Sequence, residues 1–103
     1  MSSAVWTLGA ETDVQTIYER LENWEEGAGD NFYASLLRSL MLLENFPDIG
    51  AVVFQRKVRR LLVVNRNYGL YYVHEARGVV LHALLDLRQD PRTIRKRISS
   101  IQS

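Results

Sequence analysis

The chain has 103 residues, 47% hydrophobic and 24% charged, with six glycines, two prolines and no cysteine; that is the balance of one folded globule with a single core, not of a disordered or fibrous chain. Without cysteine there is no disulfide framework, thiolate zinc site or cysteine nucleophile, and two histidines make a poor cage, so no metal or other cofactor is expected. The net charge of +1 conceals two halves of opposite sign: nine acids against Arg20 and Arg38 leave −7 over residues 1–50, and eleven bases against Glu75, Asp86 and Asp90 leave +8 over residues 51–103.

The alternating stretch from Ala4 to Leu8 reads as a strand that Gly9 ends. Thr12 and Gln15 have the form of a capping box, and Val14, Ile17, Tyr18, Leu21 and Trp24 recur at helical spacing, which predicts a helix of about 12 residues. Its glutamates at 19, 22, 25 and 26 oppose the helix dipole and call for a basic neighbour. After Gly27-Ala28-Gly29, Asp30 is the expected N-cap of a second helix whose Phe32, Tyr33, Leu36, Leu37, Leu40 and Leu43 form a broad apolar stripe, closed by Pro47; a short turn between two helices implies an antiparallel hairpin.

From Ala51 the texture changes to β-branched and aromatic runs: Ala51 to Phe54, Val58 to Val64, Gly69 to His74 and Gly78 to Leu87, a meander with turns at Asn65-Arg66-Asn67 and Glu75 to Gly78. Strict alternation in the last run groups Val79, Leu81, Ala83 and Leu85 against Val80, His82, Leu84 and Asp86. Asp90-Pro91 then opens a short basic helix with Ile94, Ile98 and Ile101 as a thin apolar stripe. The fold class is α+β: an N-terminal strand, an antiparallel helix hairpin on one face of a mainly antiparallel twisted sheet, and a short basic C-terminal helix, with residues 1–103 forming a single domain. The other sheet face and the last helix are left as the binding surface.

The charge asymmetry points the basic half at an anion, either nucleic acid or an acidic protein segment, unless the acidic half simply docks on it. Arg56-Lys57-Val58-Arg59-Arg60 and the run from Arg88 to Arg97 are the two basic clusters, and guanidinium groups suit phosphates and carboxylates alike. Tyr68, Tyr71 and Tyr72 stand near them as base-stacking candidates or as packing against the hairpin. Neither histidine has an orienting partner in sequence, and no nucleophile elbow or phosphate loop is present. No apolar run reaches the roughly 20 residues that span a bilayer, and the opening residues lack the pattern of a secretory signal, so a cytoplasmic location without a membrane partner is expected.

Val58-Arg59-Arg60-Leu61-Leu62-Val63-Val64, then Tyr68-Gly69-Leu70-Tyr71-Tyr72-Val73, then the segment from Val79 through Leu87-Arg88-Gln89-Asp90-Pro91 resemble the RelE/ParE superfamily of bacterial toxins over nearly the whole chain. The resemblance implies a toxin of a type II toxin–antitoxin pair, silenced by an antitoxin of the ParD or RelB kind whose acidic C-terminal segment folds on binding. RelE-type members cut messenger RNA on the ribosome without metal, which needs cations around the scissile phosphate; ParE-type members poison DNA gyrase. Of the RelE-type pattern Arg60 and Arg88 are kept, whereas Leu62, Gly69 and Ile94 stand where a cation, an arginine and a tyrosine are expected. That pattern favours the ParE branch and a gyrase-binding toxin, with Arg56, Lys57, Arg59, Arg60, Arg88, Arg92, Arg95 and Arg97 as the target- or antitoxin-binding residues. The alternatives are a ribosome-dependent ribonuclease acting on mRNA through Arg60, Arg88 and His82, with Lys57, Arg59 or Arg66 replacing a missing cation, and a non-toxic member that retains antitoxin binding.

Overall fold

The computed structural model describes residues 3–101. Its elements are β1 (Ala4–Trp6), α1 (Leu8–Trp24), α2 (Ala28–Asn45), β2 (Ala51–Phe54), β3 (Val58–Val63), β4 (Tyr68–Glu75), β5 (Gly78–Asp86) and α3 (Pro91–Ser99). The five strands form one sheet in the order β1-β5-β4-β3-β2; β2 to β5 are antiparallel neighbours and β1 runs parallel to β5. Among the described residues no helix is long and apolar enough to cross a membrane.

Both helix starts differ from the sequence reading. Gly9 does not end a strand but lies in the first turn of α1, because Thr7 caps that helix, its hydroxyl accepting from the Ala10 amide at 3.2 Å. Thr12 is interior, its hydroxyl donating back to the Leu8 carbonyl. In α2 the N-cap is Gly27 at φ 87°, and Asp30 sits in the first turn. Among the described residues no ion pair answers the acidic end of α1; instead the Glu22 carboxylate accepts from the amides of Gly27, Gly29 and Asp30 at 3.2, 2.8 and 3.2 Å. A carboxylate at the end of one helix thus neutralises the exposed N–H groups at the start of the next.

The hairpin covers one sheet face. Phe32, Leu36, Leu40 and Leu43 of α2 and Ala10 and Ile17 of α1 pack on Val63, Tyr68, Leu70, Tyr72, Val79, Leu81 and Leu84, and each large apolar side chain buried this way contributes about 1.5–3 kcal/mol. The opposite face is not free. Ile94, Ile98 and Ile101 lie on Val58, Tyr71, Val73, Ala83 and Leu85, so the stripe of α3 closes much of the surface expected to remain open.

The alternation in β5 breaks at His82. Tyr71 pairs with Ala83 and Tyr72 with Leu81, so His82 is the extra residue of a β-bulge. Val79, Leu81 and Leu84 therefore share the hairpin face, while Ala83 and Leu85 face α3. The bulge also orphans an amide: the Leu84 N–H donates to Asp13 Oδ2 of α1 at 3.0 Å, and that carboxylate takes a bidentate contact from Arg97 of α3 at 2.9 and 2.7 Å.

Candidate functional site

The cations of the second half separate along the sheet. At one end Arg56 and Lys57 are exposed on the β2–β3 turn and Arg77 on the β4–β5 turn. Gln55 and Arg56 both have positive φ, 49° and 64°, which gives the three-residue connection the backbone twist of its flanking strands. At the other end Arg66 lies in the β3–β4 loop, and Arg88 follows β5 beside it, the Leu87 amide donating to the Asn67 carbonyl. The outer face of α3 joins the two ends with exposed Arg92, Arg95 and Lys96.

Arg88 is clasped where it stands. Its Nε and Nη2 donate to Asp86 at 2.8 and 2.9 Å, and its guanidinium lies 5.5 Å from the centre of the Tyr68 ring. This grip holds the Asp86 carboxyl below the usual carboxylate range. Tyr68 is buried edge-on against Phe32, and its hydroxyl accepts from both Arg88 and Arg20 at 3.4 and 3.3 Å. Arg20, which the sequence reading did not single out, also approaches Asp86 at 3.6 Å. Its only sequence signal is that it is one of two bases in the acidic half.

Other candidates are absorbed by the fold. Arg59 turns to the hairpin side, donating to the carbonyls of Asp48 and Gly50 at 2.9 and 2.8 Å. Asp48 also holds His74 Nδ1 at 2.7 Å, and this contact, followed by Arg59, keeps its carboxyl below the ordinary range. Arg97 is committed to Asp13, and Arg92 folds back on Asp90, the N-cap of α3. The three tyrosines are no stacking platform: Tyr68, Tyr71 and Tyr72 are 3%, 1% and 0% exposed, because two fill the hairpin core and Tyr71 lies under α3.

Gly69 explains the position of Arg60. A β-carbon there would come within 3.0 Å of the Tyr71 ring, 3.1 Å of Leu87 and 3.2 Å of Arg60 Cδ. The stem of Arg60 thus runs through the space that a side chain at 69 would claim, on the face that α3 covers. Arg60 Nε is buried and has no hydrogen-bond partner among the described residues.

The three residues of the ribonuclease alternative do not converge. Arg60 lies on β3 and His82 on β5, two strands or about 10 Å apart, with buried Tyr71 and the isoleucines of α3 filling the surface between them. Arg88 is held on the opposite face beside Tyr68. His82 Nε2 is buried without a hydrogen-bond partner among the described residues, and burial pushes its pKa down, an effect that the Glu75 charge partly offsets. A depressed histidine pKa means that protonation opposes folding. Stability is therefore complete above the unfolded value of about 6.5 and falls as pH drops through the lower folded value. Urea unfolding of wild type and His82→Phe between pH 7.5 and 4.5 is expected to show this slope in wild type only; identical slopes would place the effect elsewhere.

Chemically, the exposed arginines and lysines offer spare donors to carboxylates or phosphates. Among the described residues no group of three His, Asp or Glu is arranged to hold a metal ion.

Comparison with known proteins follows this geometry. The family model described as the ParE toxin of the type II toxin–antitoxin system parDE matches residues 4–91, from β1 to the first residue of α3. Among solved structures, a chain titled as the chromosomal ParDE toxin–antitoxin system from P. aeruginosa superposes with a TM-score of 0.74 at 15% identity, covering 85% of this chain and 98% of that one. No curated protein sequence matches the chain.

Proposed function

Because the chain belongs to the ParE toxin family of type II toxin–antitoxin systems, we propose that it acts by binding rather than by cutting: it blocks DNA gyrase in the bacterial cytoplasm and is silenced by an antitoxin whose acidic segment meets the basic surface of α3. The observation that supports this reading is the dispersal of Arg60, Arg88 and His82 over two faces, with the α3 isoleucines packed across the face between Arg60 and His82. Metal-free cleavage of RNA requires donors gathered around one phosphate, each removed donor costing about 2.7–4 kcal/mol of barrier.

Labelled thymidine and labelled methionine incorporation, followed in the first minutes after induction without the antitoxin, tests the target. Thymidine incorporation is expected to fail first. Early loss of methionine incorporation would instead establish the ribosome and mRNA as targets, and no change in either would mark a non-toxic member. Charge reversal on the exposed face of α3, R95E/K96E, which leaves the Arg92–Asp90 pair at the helix cap intact, is expected to abolish toxicity with a thermal midpoint close to that of wild type, because these two side chains are exposed. Full toxicity in that folded variant would remove α3 from the target surface.

A further inference from the structure

An open groove of about 530 Å³ lies where β1, α1 and α2 meet, and its walls carry Trp6, Glu11, Tyr18, Asp30 and Tyr33. Three aromatic rings and two carboxylates around one concavity are the elements that select an organic cation: ring faces attract it, and acids neutralise it. The Tyr18 hydroxyl donates to Asp30 Oδ1 at 2.6 Å, which fixes the ring against the acid and, with burial, raises the Tyr18 pKa to about 12. Among the described residues the ion pairs use Asp13, Asp48, Asp86 and Asp90, so neither Glu11 nor Asp30 is matched by a lysine or arginine of the chain.

The groove opens onto an apolar stripe. Tyr33, Leu37 and Met41 follow one another at four-residue spacing along the outer side of α2 and are 44%, 42% and 65% exposed. The stripe is about 12 Å long. Eight acids against Arg20 and Arg38 leave the two helices and their connection at −6 over residues 8–45, so the complementary partner is apolar with a positive charge at one end.

We propose that this groove seats a lysine or arginine side chain of the antitoxin, with apolar residues of the same segment lying along Leu37 and Met41. This rests on the antitoxin partnership proposed above, and it adds a requirement that the basic half of the chain does not predict. The antitoxin is of mixed charge: acids for α3, one cation for the hairpin. The cation enters between Trp6, Tyr18 and Tyr33, and the carboxylates of Glu11 and Asp30 replace its water.

The protein from the reading frame adjacent to the toxin gene is co-expressed and its affinity measured for wild type, E11Q/D30N and E11K/D30K, in a W24F background that leaves Trp6 as the only fluorescent indole. Binding is expected to weaken about tenfold in E11Q/D30N and about a hundredfold in E11K/D30K, with Trp6 emission changing on complex formation in wild type. One Lys→Ala or Arg→Ala substitution in the antitoxin should give the same tenfold loss, and none beyond it when combined with E11Q/D30N. Affinities within twofold of wild type for E11K/D30K, or no antitoxin cation coupled to the two acids, would overturn the groove assignment while leaving the antitoxin partnership standing. Failure of wild type to form any complex would overturn the partnership itself, and the occupant with it.

Discussion

Replacing Asp13 by alanine is expected to cost about 2–3 kcal/mol of folding stability. Its carboxylate is 13% exposed and serves three donors: two on Arg97 and the Leu84 amide freed by the bulge at His82. Removing one partner of a buried ion pair costs about 3–5 kcal/mol, but Arg97 is 38% exposed and water takes over part of its charge. The Leu84 amide has no such escape, and an orphaned buried donor costs about 1–3 kcal/mol. D13N should cost least, because an asparagine oxygen still accepts from Leu84 and no carboxylate is left buried, whereas D13A orphans the amide and R97A strands the Asp13 carboxylate without its cation. Urea unfolding at neutral pH measures all three. If D13N proves as costly as D13A, the ion pair carries the effect and the Leu84 amide contributes nothing.

This pair also marks the limit of what the sequence alone discloses. Asp13 and Arg97 lie 84 positions apart, and nothing local distinguishes Arg97 from Arg92 or Arg95, so all three read as one basic face. The order of elements was legible because it rests on local signals: helical spacing in α1 and α2, β-branched runs in β2 to β5, and Asp90-Pro91 before α3. The parallel pairing of β1 with β5 was not, since a strand's own pattern carries no information about its partner. Alternation in β5 failed at one residue: a bulge shifts the period by one and moves every later side chain to the other face. Ile94, Ile98 and Ile101 form a stripe in sequence, but what they cover depends on where the chain turns after Leu87.

The candidate site shows the same division. Arg88 and Asp90-Pro91 were found because their signature is contiguous in sequence, whereas Arg20, Tyr68 and Asp86 meet only through the crossing of α1 over the end of β5. The groove of Trp6, Tyr18 and Tyr33 was hidden for a related reason: each ring sits at a helix or strand spacing that reads equally well as core. Their shared exposure is a property of the hairpin's position.

That position depends on Gly29. Gly29→Ala is expected to lower stability by about 1–3 kcal/mol, although alanine is the better helix former by about 1 kcal/mol. A β-carbon at 29 would stand 2.6 Å from Glu22 Cγ and 2.8 Å from the Tyr18 carbonyl. The carbonyl is backbone and cannot swing aside, and Glu22 can do so only by releasing the amides of Gly27, Gly29 and Asp30. Overpacking of this kind costs about 1–3 kcal/mol and a lost helix cap about 1 more, so the steric and capping losses exceed the propensity gain. Urea unfolding of G29A, with a shift in Trp6 emission in the W24F background as α2 moves off α1, checks both parts. An increase in stability would mean that the helices do not hold this spacing. Tyr18 and Asp30 would then not be fixed 2.6 Å apart, and the groove would lack the rigid wall that selects a cation.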